Sequence, residues 1–354
     1  ADEAVYQRIA AEHLDELVGD RHYRLLPTRA GRTCLMVPAV SGLGYETTGL
    51  RLPQCRTPSA SRPPFPSQRY SGYSFIIVPG EASSGVDQMK AFVMQGIGET
   101  AIVEKERPEP GPMDAILKPT VGLICTSDCH TVHGAIGDRD NLTLGHEVVG
   151  IVDEVGSEVE DFMAGDRVAV GAITPDWNAE AAQEGHPSQS NGALGGWKFA
   201  NVKDGTFAEY VHVNDADGNL APIPKGVTDH QAVYTADMLS TGFAGAENAD
   251  IPMGGTVAIF AQGPVGLMAT KGAALQGAGQ IIAVETRENR KELARVYGAT
   301  DIVDFQDGDP VAQIMDLTND RGVDAAIEAL GADETLQNCI EVTKPGGTVS
   351  NVGY

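Results

Sequence analysis

The stretch "TVAIFAQGPVGLMATKGAALQGAGQIIAVETR", which begins at Thr256, constrains the fold most strongly. It is typical of a buried strand, a glycine-containing turn, a helix over Pro264 to Gln276, a second strand and then an acidic residue, Glu285. This order matches the G-x-G-x-x-G dinucleotide fingerprint, although Ala261 stands in place of the first glycine. We therefore predict a parallel, doubly wound α/β sheet that binds a nucleotide.

The residues that follow repeat the alternation of strand and helix. A second helix is predicted from Arg287 to Tyr297, and "TDIVDF", "VDAAIEA" and "GTVSNVG" bring the expected number of parallel strands to five. The pyrophosphate of a dinucleotide is expected at the N-terminus of the first helix, where free N–H groups and the helix dipole favour an anion. The candidate cofactor-binding residues are Gly263, Pro264, Val265, Gly266, Glu285, Thr286 and Arg287.

The chain from Met89 to about residue 238 has a different pattern. Short apolar runs are broken by Gly and Pro, which predicts a β-rich domain of strands and turns. Inside it, "GLICTSDCHTVHGAIGDRDNLTLGHEVVG", from Gly122 to Gly150, concentrates cysteine, histidine and acidic residues. Such a window is either a metal site or a polar loop that happens to be rich in ligand atoms.

Two residues of this window favour a metal site. Cys125 follows a predicted strand and His146 precedes one, so both lie where a rigid sheet can orient a side chain. A thiolate and an imidazole suit Zn²⁺, and a catalytic zinc takes three protein ligands and keeps one position open. Glu147 can approach the metal as a further or transient ligand, and Asp128 can orient the imidazole.

Several motifs together resemble the zinc-dependent medium-chain alcohol dehydrogenases, especially the bacterial and protist secondary-alcohol enzymes. The matching motifs are "CTSDCH", "GHE", "AITPDW", "DGTFAEYVHVNDAD" and "TADMLSTG". The resemblance covers residues 89–354 and leaves 1–88 unassigned. It implies an α/β chain with a GroES-like catalytic domain over 89–238 and a Rossmann domain over 239–354.

The resemblance also implies roles for single residues. Zinc would be held by Cys125, His146 and Asp237, with Glu147 beside them. Asp237 stands where many relatives have a second Cys, and from the sequence alone it equally fits a helix N-cap. No group of four cysteines lies between Asp166 and Asn201, so one catalytic zinc is expected rather than a second, structural one.

The remaining catalytic candidates are Ser127, His130 and Trp177. By resemblance, Ser127 contacts the substrate oxygen, His130 relays the released proton, and Trp177 lines the alcohol pocket. Each also fits a plainer role, as a turn cap, a surface residue and a packing aromatic respectively. The implied activity is hydride transfer between an alcohol, expected to be secondary, and a nicotinamide cofactor. A catalytically impaired fragment that binds nucleotide or zinc, or a polyol or amino-alcohol dehydrogenase, is the alternative.

The residues after the second strand bear on the form of the cofactor. Glu285 would accept hydrogen bonds from the ribose hydroxyls of NAD and would repel the 2′-phosphate of NADP. Secondary-alcohol relatives that use NADP carry a glycine there. We therefore expect NAD, while Arg287 keeps NADP possible because its guanidinium can bind a phosphate.

The charge of the chain lies almost entirely in the domains. Residues 1–88 hold nine Arg, no Lys and nine Asp or Glu, so the net charge of −24 falls after this segment. An acidic surface repels nucleic acid and anionic membranes, so neither is an expected partner. Two interpretations remain open, an ordinary acidic enzyme and adaptation to a salty cytoplasm in which ions screen the repulsion.

The last expectations concern the two ends of the chain and its cysteines. Residues 1–88 include a possible helix from Ala4 to Leu17 and a Pro-, Ser- and Arg-rich stretch. They are expected to lie outside the functional fold or to form a small docking or regulatory domain. Five unevenly spaced Cys favour a reducing cytoplasm. Relatives continue beyond Tyr354 through a sixth parallel strand, which implies a truncated chain, and they suggest a homodimer or homotetramer.

Overall fold

A computed structural model describes residues 88–192 and 194–354, together with three short strands nearer the N-terminus. The chain divides into two units, Ala1–Ser74 and Phe75–Tyr354. In the first unit, strands β1 (Tyr23–Leu25) and β2 (Met36–Pro38) pair antiparallel. The helix predicted from Ala4 to Leu17 lies outside the described residues.

The second unit begins with antiparallel sheets. One has the strand order β10-β6-β8-β9-β11, with β3 pairing β6 at its side, and the other has the order β5-β4-β7. The strands are β3 (Phe75–Ile76), β4 (Gln88–Gly96), β5 (Glu99–Glu106), β6 (Ala115–Leu123), β7 (Leu142–Thr143), β8 (Glu147–Val155), β9 (Arg167–Val170), β10 (Val211–Val213) and β11 (Leu220–Pro222).

Apolar side chains of these strands form the core of the β-rich part. Leu117, Val148, Val168 and Val211 belong to one buried cluster, in which alternate residues of neighbouring strands meet on the same face of the sheet. Phe75 and Ile76 pair with Leu123 and Gly122 of β6. Residues before Met89 therefore contribute to this sheet, which the sequence did not predict.

The last part of the chain forms a parallel sheet of five described strands in the order β14-β13-β12-β15-β16. This is the predicted number of strands, and the order places β12 at the centre, as in a doubly wound sheet. The strands are β12 (Thr256–Phe260), β13 (Gln280–Val284), β14 (Asp301–Val303), β15 (Val323–Glu328) and β16 (Thr343–Asn351).

Helices connect the parallel strands, and shorter helices lie between the strands of the antiparallel sheets along the chain. Those at Pro264–Gln276 and Glu288–Tyr297 agree with the two predicted helices. The helices are α1 (Thr126–Val132), α2 (Glu180–Gln183), α3 (Ala216–Asn219), α4 (Asp229–Ala232), α5 (Met238–Asn248), α6 (Pro264–Gln276), α7 (Glu288–Tyr297), α8 (Pro310–Leu317) and α9 (Asp333–Val342), with 3-10 turns at Pro187–Gln189 and Val233–Thr235. Within the described residues, no helix has the length and apolar character needed to cross a membrane.

Candidate functional site

Strand pairing brings together the two residues that first suggested a metal. Cys125 follows β6 and immediately precedes α1, while His146 immediately precedes β8. Strands β6 and β8 are antiparallel partners, with Leu123 opposite Glu147. Because the pairing aligns these strand ends, Cys125 and His146 meet although 20 residues of chain separate them.

Asp237 reaches the same point from a third element. It occupies the N-cap position of α5, but its side chain makes no capping hydrogen bond. One carboxylate oxygen, Oδ1, accepts a hydrogen bond from the hydroxyl of Thr241, and the other, Oδ2, lies 3.4 Å from His146 Nε2. The N-cap interpretation of Asp237 therefore describes its backbone position and leaves its carboxylate directed at His146.

Four donor side chains converge in this way. Single ligand atoms of Cys125, His146, Glu147 and Asp237 all lie within 4.8 Å of one another. Zinc bonds of about 2.0–2.3 Å in a tetrahedron place neighbouring ligand atoms about 3.4–3.7 Å apart. The separation of 3.4 Å between His146 and Asp237 matches this spacing. A donor set of one sulfur, one nitrogen and carboxylate oxygens suits Zn²⁺.

Two nearby carboxylates act on the pKa of His146. Burial would lower the pKa of His146, but the carboxylates of Asp128 and Asp237 overcome this effect and raise it. Asp128 Oδ1 lies 3.0 Å from His146 Nδ1, and Asp128 Oδ2 accepts a hydrogen bond from the backbone N–H of Cys125. Asp128 thus connects two candidate ligands and fixes which nitrogen of His146 faces the cluster.

Glu147 is the unusual member of the cluster. It is 0% exposed, and among the described residues neither carboxylate oxygen has a hydrogen-bond partner of normal geometry, although the backbone N–H of Met238 lies near enough to lower its pKa. Burial raises its pKa to about 8, because the opposing attraction of His146 is smaller and negative Asp237 adds to the increase. A buried carboxylate without donors is costly unless a proton or a cation neutralises it. The residues present therefore fit a bound divalent cation.

The predicted nucleotide turn lies at the start of α6. Gly263 is the N-cap and Pro264 the first helical residue, so the backbone N–H groups that follow point out of the helix end. Ala261 has a φ of 69°, a left-handed conformation that explains why this position usually carries glycine. A Cβ at Gly266 would lie 1.9 Å from Ala261 O, so no larger residue fits there.

Glu285 follows β13, next to this turn. It is 5% exposed, and its Oε1 accepts hydrogen bonds from the backbone N–H groups of Thr286 and Arg287, at 2.8 and 2.9 Å. Its Oε2 accepts a longer one, at 3.3 Å, from the N–H of Gln262. The acid is therefore held in place at the strand end where a ribose is expected.

The nucleotide turn also contacts the part of the molecule that carries the four candidate metal ligands, Cys125, His146, Glu147 and Asp237, here called the metal cluster. Val265 packs against buried residues that include Leu123 and Met238. Leu123 lies two residues before Cys125, and Met238 directly follows Asp237. The two candidate sites are therefore neighbours within one unit.

Comparisons with known proteins agree with this geometry. Family models match at residues 111–225, "Alcohol dehydrogenase GroES-like domain", and at 264–354, "Zinc-binding dehydrogenase". An NADP-dependent isopropanol dehydrogenase of Thermoanaerobacter brockii is 56% identical over 75% of this chain and 76% of its own length. This chain belongs to the zinc-dependent alcohol dehydrogenase family. The isopropanol dehydrogenase of Clostridium beijerinckii is 54% identical over the same shares.

Solved structures of the family have the same fold. A zinc-dependent alcohol dehydrogenase of Streptococcus pneumonia matches with a TM-score of 0.69 and 34% identity, over 75% of this chain and 76% of that one. The alcohol dehydrogenase of Thermus sp. ATN1 matches with a TM-score of 0.66 and 31% identity, over 75% and 77%. The predicted fold, a GroES-like domain followed by a Rossmann domain, is confirmed, as is the class of zinc- and nicotinamide-dependent alcohol oxidoreductases.

The other predicted catalytic residues lie on α1. The Ser127 hydroxyl donates a hydrogen bond to Cys125 Sγ at 3.1 Å, so it adjoins the cluster. His130 lies three residues further along the helix, with its ring 6.1 Å from that of Tyr354. Tyr354 in turn makes an edge contact with Trp197, at 5.1 Å between ring centroids. Neither Tyr354 nor Trp197 is indicated by the sequence as a neighbour of His130, because no local pattern connects the three residues.

Trp177, which is predicted to line the alcohol pocket, packs beside Gly218 and Asn219, and its role in the pocket stays a prediction. Its indole Nε1 donates a hydrogen bond to Asn219 Oδ1 at 2.9 Å, and its ring lies where a Cβ on Gly218 would be. None of these contacts is with a residue of the metal cluster. The plainer interpretation, a packing aromatic, describes these contacts. Of the two tryptophans in the chain, Trp197 has the aromatic connection to His130.

Proposed function

We propose that this chain interconverts small secondary alcohols and ketones at a zinc held by Cys125, His146 and Asp237, with Glu147 beside them. The observation that carries the proposal is the convergence of these four side chains within 4.8 Å, next to a nucleotide-binding turn. The relatives named as isopropanol dehydrogenases support a secondary alcohol as substrate. When bound, zinc supplies a Lewis acid and the nicotinamide ring accepts the hydride.

The side chains of α1 have the task of handling the proton. Ser127 and His130 are three residues apart on one helix, so their side chains lie on neighbouring positions of the same face. We assign Ser127 to hold the hydroxyl proton of the alcohol and His130 to receive it and release it to solvent. Asp128 keeps His146 oriented during this exchange. We also propose that Trp177, which is 38% exposed, lines the alcohol pocket.

For the cofactor we propose a preference for NAD. Glu285 places a fixed negative charge at the end of β13, and its Oε2 accepts only long contacts, so it can still accept a ribose hydroxyl. The relatives named as NADP-dependent and the presence of Arg287 argue for NADP as the competing form. The ratio of kcat/KM for the two cofactors tests this preference, and a clear advantage for NADP would contradict it.

The cofactor and pocket residues belong to two proposed domains, 89–238 and 239–354. The two family models support this division, because they fall on either side of its boundary. We further propose a cytoplasmic enzyme that forms a homodimer or homotetramer. The cysteines Cys125 and Cys339 are free thiols, as is usual in a reducing compartment.

The decisive experiment combines metal analysis with an assay. The purified chain is expected to contain one zinc and to reduce NAD when given propan-2-ol, more efficiently than when given propan-1-ol. Cys125→Ser should lose both zinc and activity, whereas Cys129→Ala, which changes a buried neighbour on α1, should keep both. A chain that holds zinc and binds nucleotide but oxidises no alcohol would contradict the proposed activity.

A further inference from the structure

The environment of Glu285 contains a positive partner that the fingerprint does not include. Arg290 lies in the first turn of α7, and its Nη1 is 3.4 Å from Glu285 Oε2. The Arg290 side chain is 35% exposed, whereas that of Glu285 is 6% exposed. One nitrogen of the guanidinium therefore contacts the carboxylate, while the exposed part of the side chain remains accessible to a ligand.

The two oxygens of Glu285 are not equivalent. Oε1 already accepts two backbone hydrogen bonds of normal length, from Thr286 and Arg287. Among the described residues, Oε2 has only the long contacts with the N–H of Gln262 and with Arg290. The oxygen that remains available to a ligand is thus the one whose charge Arg290 offsets.

The other basic side chains of α7 are directed elsewhere. Lys291 forms ion pairs with Asp304 and with Glu288, and Arg295 lies 3.9 Å from Glu288. Arg295 is on the same helix, carries the same charge and is more exposed, at 53%. It therefore offers a control for Arg290 that changes the net charge equally without touching Glu285.

The chemistry of the ligand follows from these contacts. An isolated carboxylate at this strand end would reject a 2′-phosphate, while a guanidinium binds phosphate through paired N–H donors. A paired carboxylate and guanidinium can serve both ligands: the acid accepts ribose hydroxyls, and the guanidinium can turn to a phosphate.

We propose that Arg290 adds to Arg287 in setting how strictly this chain discriminates between adenosine ligands with and without a 2′-phosphate. This inference rests on the proposed function, because it places the adenosine ribose of the cofactor beside Glu285. Paired with Glu285, Arg290 lets the chain bind the 2′-phosphorylated form as well as the unphosphorylated one. Without Arg290, the charge of Glu285 is offset less, so the phosphate, which Arg287 can also bind, is held more weakly.

The test is calorimetric binding of two probes, 5′-AMP and adenosine 2′,5′-bisphosphate, to the full chain and its variants. Arg290→Gln should weaken binding of the bisphosphate by about tenfold or more, the effect expected for losing a charged hydrogen bond. Binding of 5′-AMP should change much less. Arg290→Lys should restore part of the loss, and Arg295→Gln should leave the ratio of the two affinities nearly unchanged. Unaltered melting temperatures show that the variants remain folded.

The outcomes separate this inference from the function beneath it. If the chain binds both probes and Arg290→Gln leaves their affinity ratio unchanged, Arg290 does not determine the discrimination. The same conclusion follows if Arg295→Gln lowers bisphosphate binding as much, because the effect would then be general charge attraction. If neither probe binds and neither NAD nor NADP supports alcohol oxidation, the proposed function itself is wrong, and the inference is wrong with it.

Discussion

Two regions of the molecule each bury a glutamate. Glu147 belongs to the metal cluster, and Glu285 belongs to the nucleotide end, which consists of the turn at Gly263 and the end of β13. The surroundings of the two carboxylates differ in kind. Glu147 is fully buried, neither of its oxygens has a hydrogen-bond partner of normal geometry in the described part of the chain, and burial raises its pKa to about 8. Glu285 is almost as buried, but it accepts hydrogen bonds from the backbone N–H groups of Gln262, Thr286 and Arg287. The comparison shows that burial alone does not define a functional carboxylate. The donors around it decide whether it requires a cation.

The difference follows from where each glutamate lies in the chain. Glu285 sits between a strand and a helix N-terminus, where unpaired backbone N–H groups are supplied locally. Glu147 is the first residue of the antiparallel strand β8. The groups beside its carboxylate are the side chains of His146 and Asp237, which themselves carry charge. The carboxylate at the nucleotide end is therefore held by backbone N–H groups, whereas the carboxylate of Glu147 is surrounded by charged side chains that could together hold an ion.

Removing a metal ligand should have the largest effect and should leave the other region intact. Asp237→Ala is expected to abolish zinc binding and to lower alcohol oxidation by more than about 100-fold, since even partners outside the ligand set cost about 10- to 100-fold. Binding of 5′-AMP should stay nearly unchanged. Asp237→Cys is the control, because a thiolate is also a zinc ligand. Loss of 5′-AMP binding in Asp237→Ala would show that the two regions are not independent.

The same substitution at the two glutamates should change stability with opposite signs. In the chelated protein, the folded-state pKa of Glu147, about 8, exceeds its ordinary value of 4.5. The folded state therefore binds the proton more tightly, and the contribution of Glu147 to stability is present below pH 4.5 and is lost as pH rises to about 8. Glu147→Gln should remove this pH dependence and stabilise the metal-free protein at neutral pH by up to a few kcal/mol.

Glu285→Gln is the matched partner in that experiment. A Gln side chain replaces one accepting oxygen by an N–H₂ group that faces backbone N–H donors, so it should destabilise the fold by about 1–3 kcal/mol. The measurement is the free energy of unfolding in denaturant, from pH 5 to pH 8, for both variants and the unmodified chain with a chelator present. If both substitutions destabilise equally at neutral pH, the contrast between the two regions is wrong.

The oxygens of Asp237 provide a finer test of the metal end. The Thr241 hydroxyl donates a hydrogen bond to Asp237 Oδ1, which leaves Oδ2 facing His146. Thr241→Val keeps the shape of the side chain but removes the donor, so zinc affinity should fall by about 10- to 100-fold in a chelator competition. Thr241→Ser should restore it. Ser240→Ala, which removes a hydrogen bond to the backbone oxygen of Asp237, should have little effect.

The sequence indicates the residues of the nucleotide end more directly than those of the metal end, because the former lie close together along the chain. The turn at Gly263 and Gly266 and the acid at Glu285 lie within one contiguous strand–helix–strand segment, so spacing alone indicates them. Asp237 required the family resemblance, because its local context is that of an N-cap. Thr241 lies four residues later on the same helix, and that spacing was the signal that could have found it.

Tertiary contacts account for what the sequence could not predict. Nothing in the sequence near Glu147 shows that its oxygens lack donors, since this depends on three other elements meeting around it. Likewise, the edge contact of Trp197 with Tyr354 joins residues more than 150 positions apart, which no local pattern indicates. The pairing of Phe75 and Ile76 with β6 was missed because two residues carry no periodicity.

The smallest predicted effect concerns the backbone at the nucleotide end. Ala261 has a φ of 69°, and an L-residue in this conformation costs about 1–2 kcal/mol relative to glycine. Ala261→Gly should therefore stabilise the protein, by roughly 1 kcal/mol or less, because glycine also gains entropy in the unfolded chain. Ala332, with a φ of −127° at the start of α9, is the control, and Ala332→Gly should give no stabilisation. Glycine adopts the left-handed conformation of Ala261 without strain, so the turn should keep its shape. The N–H of Gln262 should then still contact Glu285, and 5′-AMP binding should stay intact. A loss of affinity in the more stable variant would instead show that the strained conformation holds the nucleotide turn in its binding geometry.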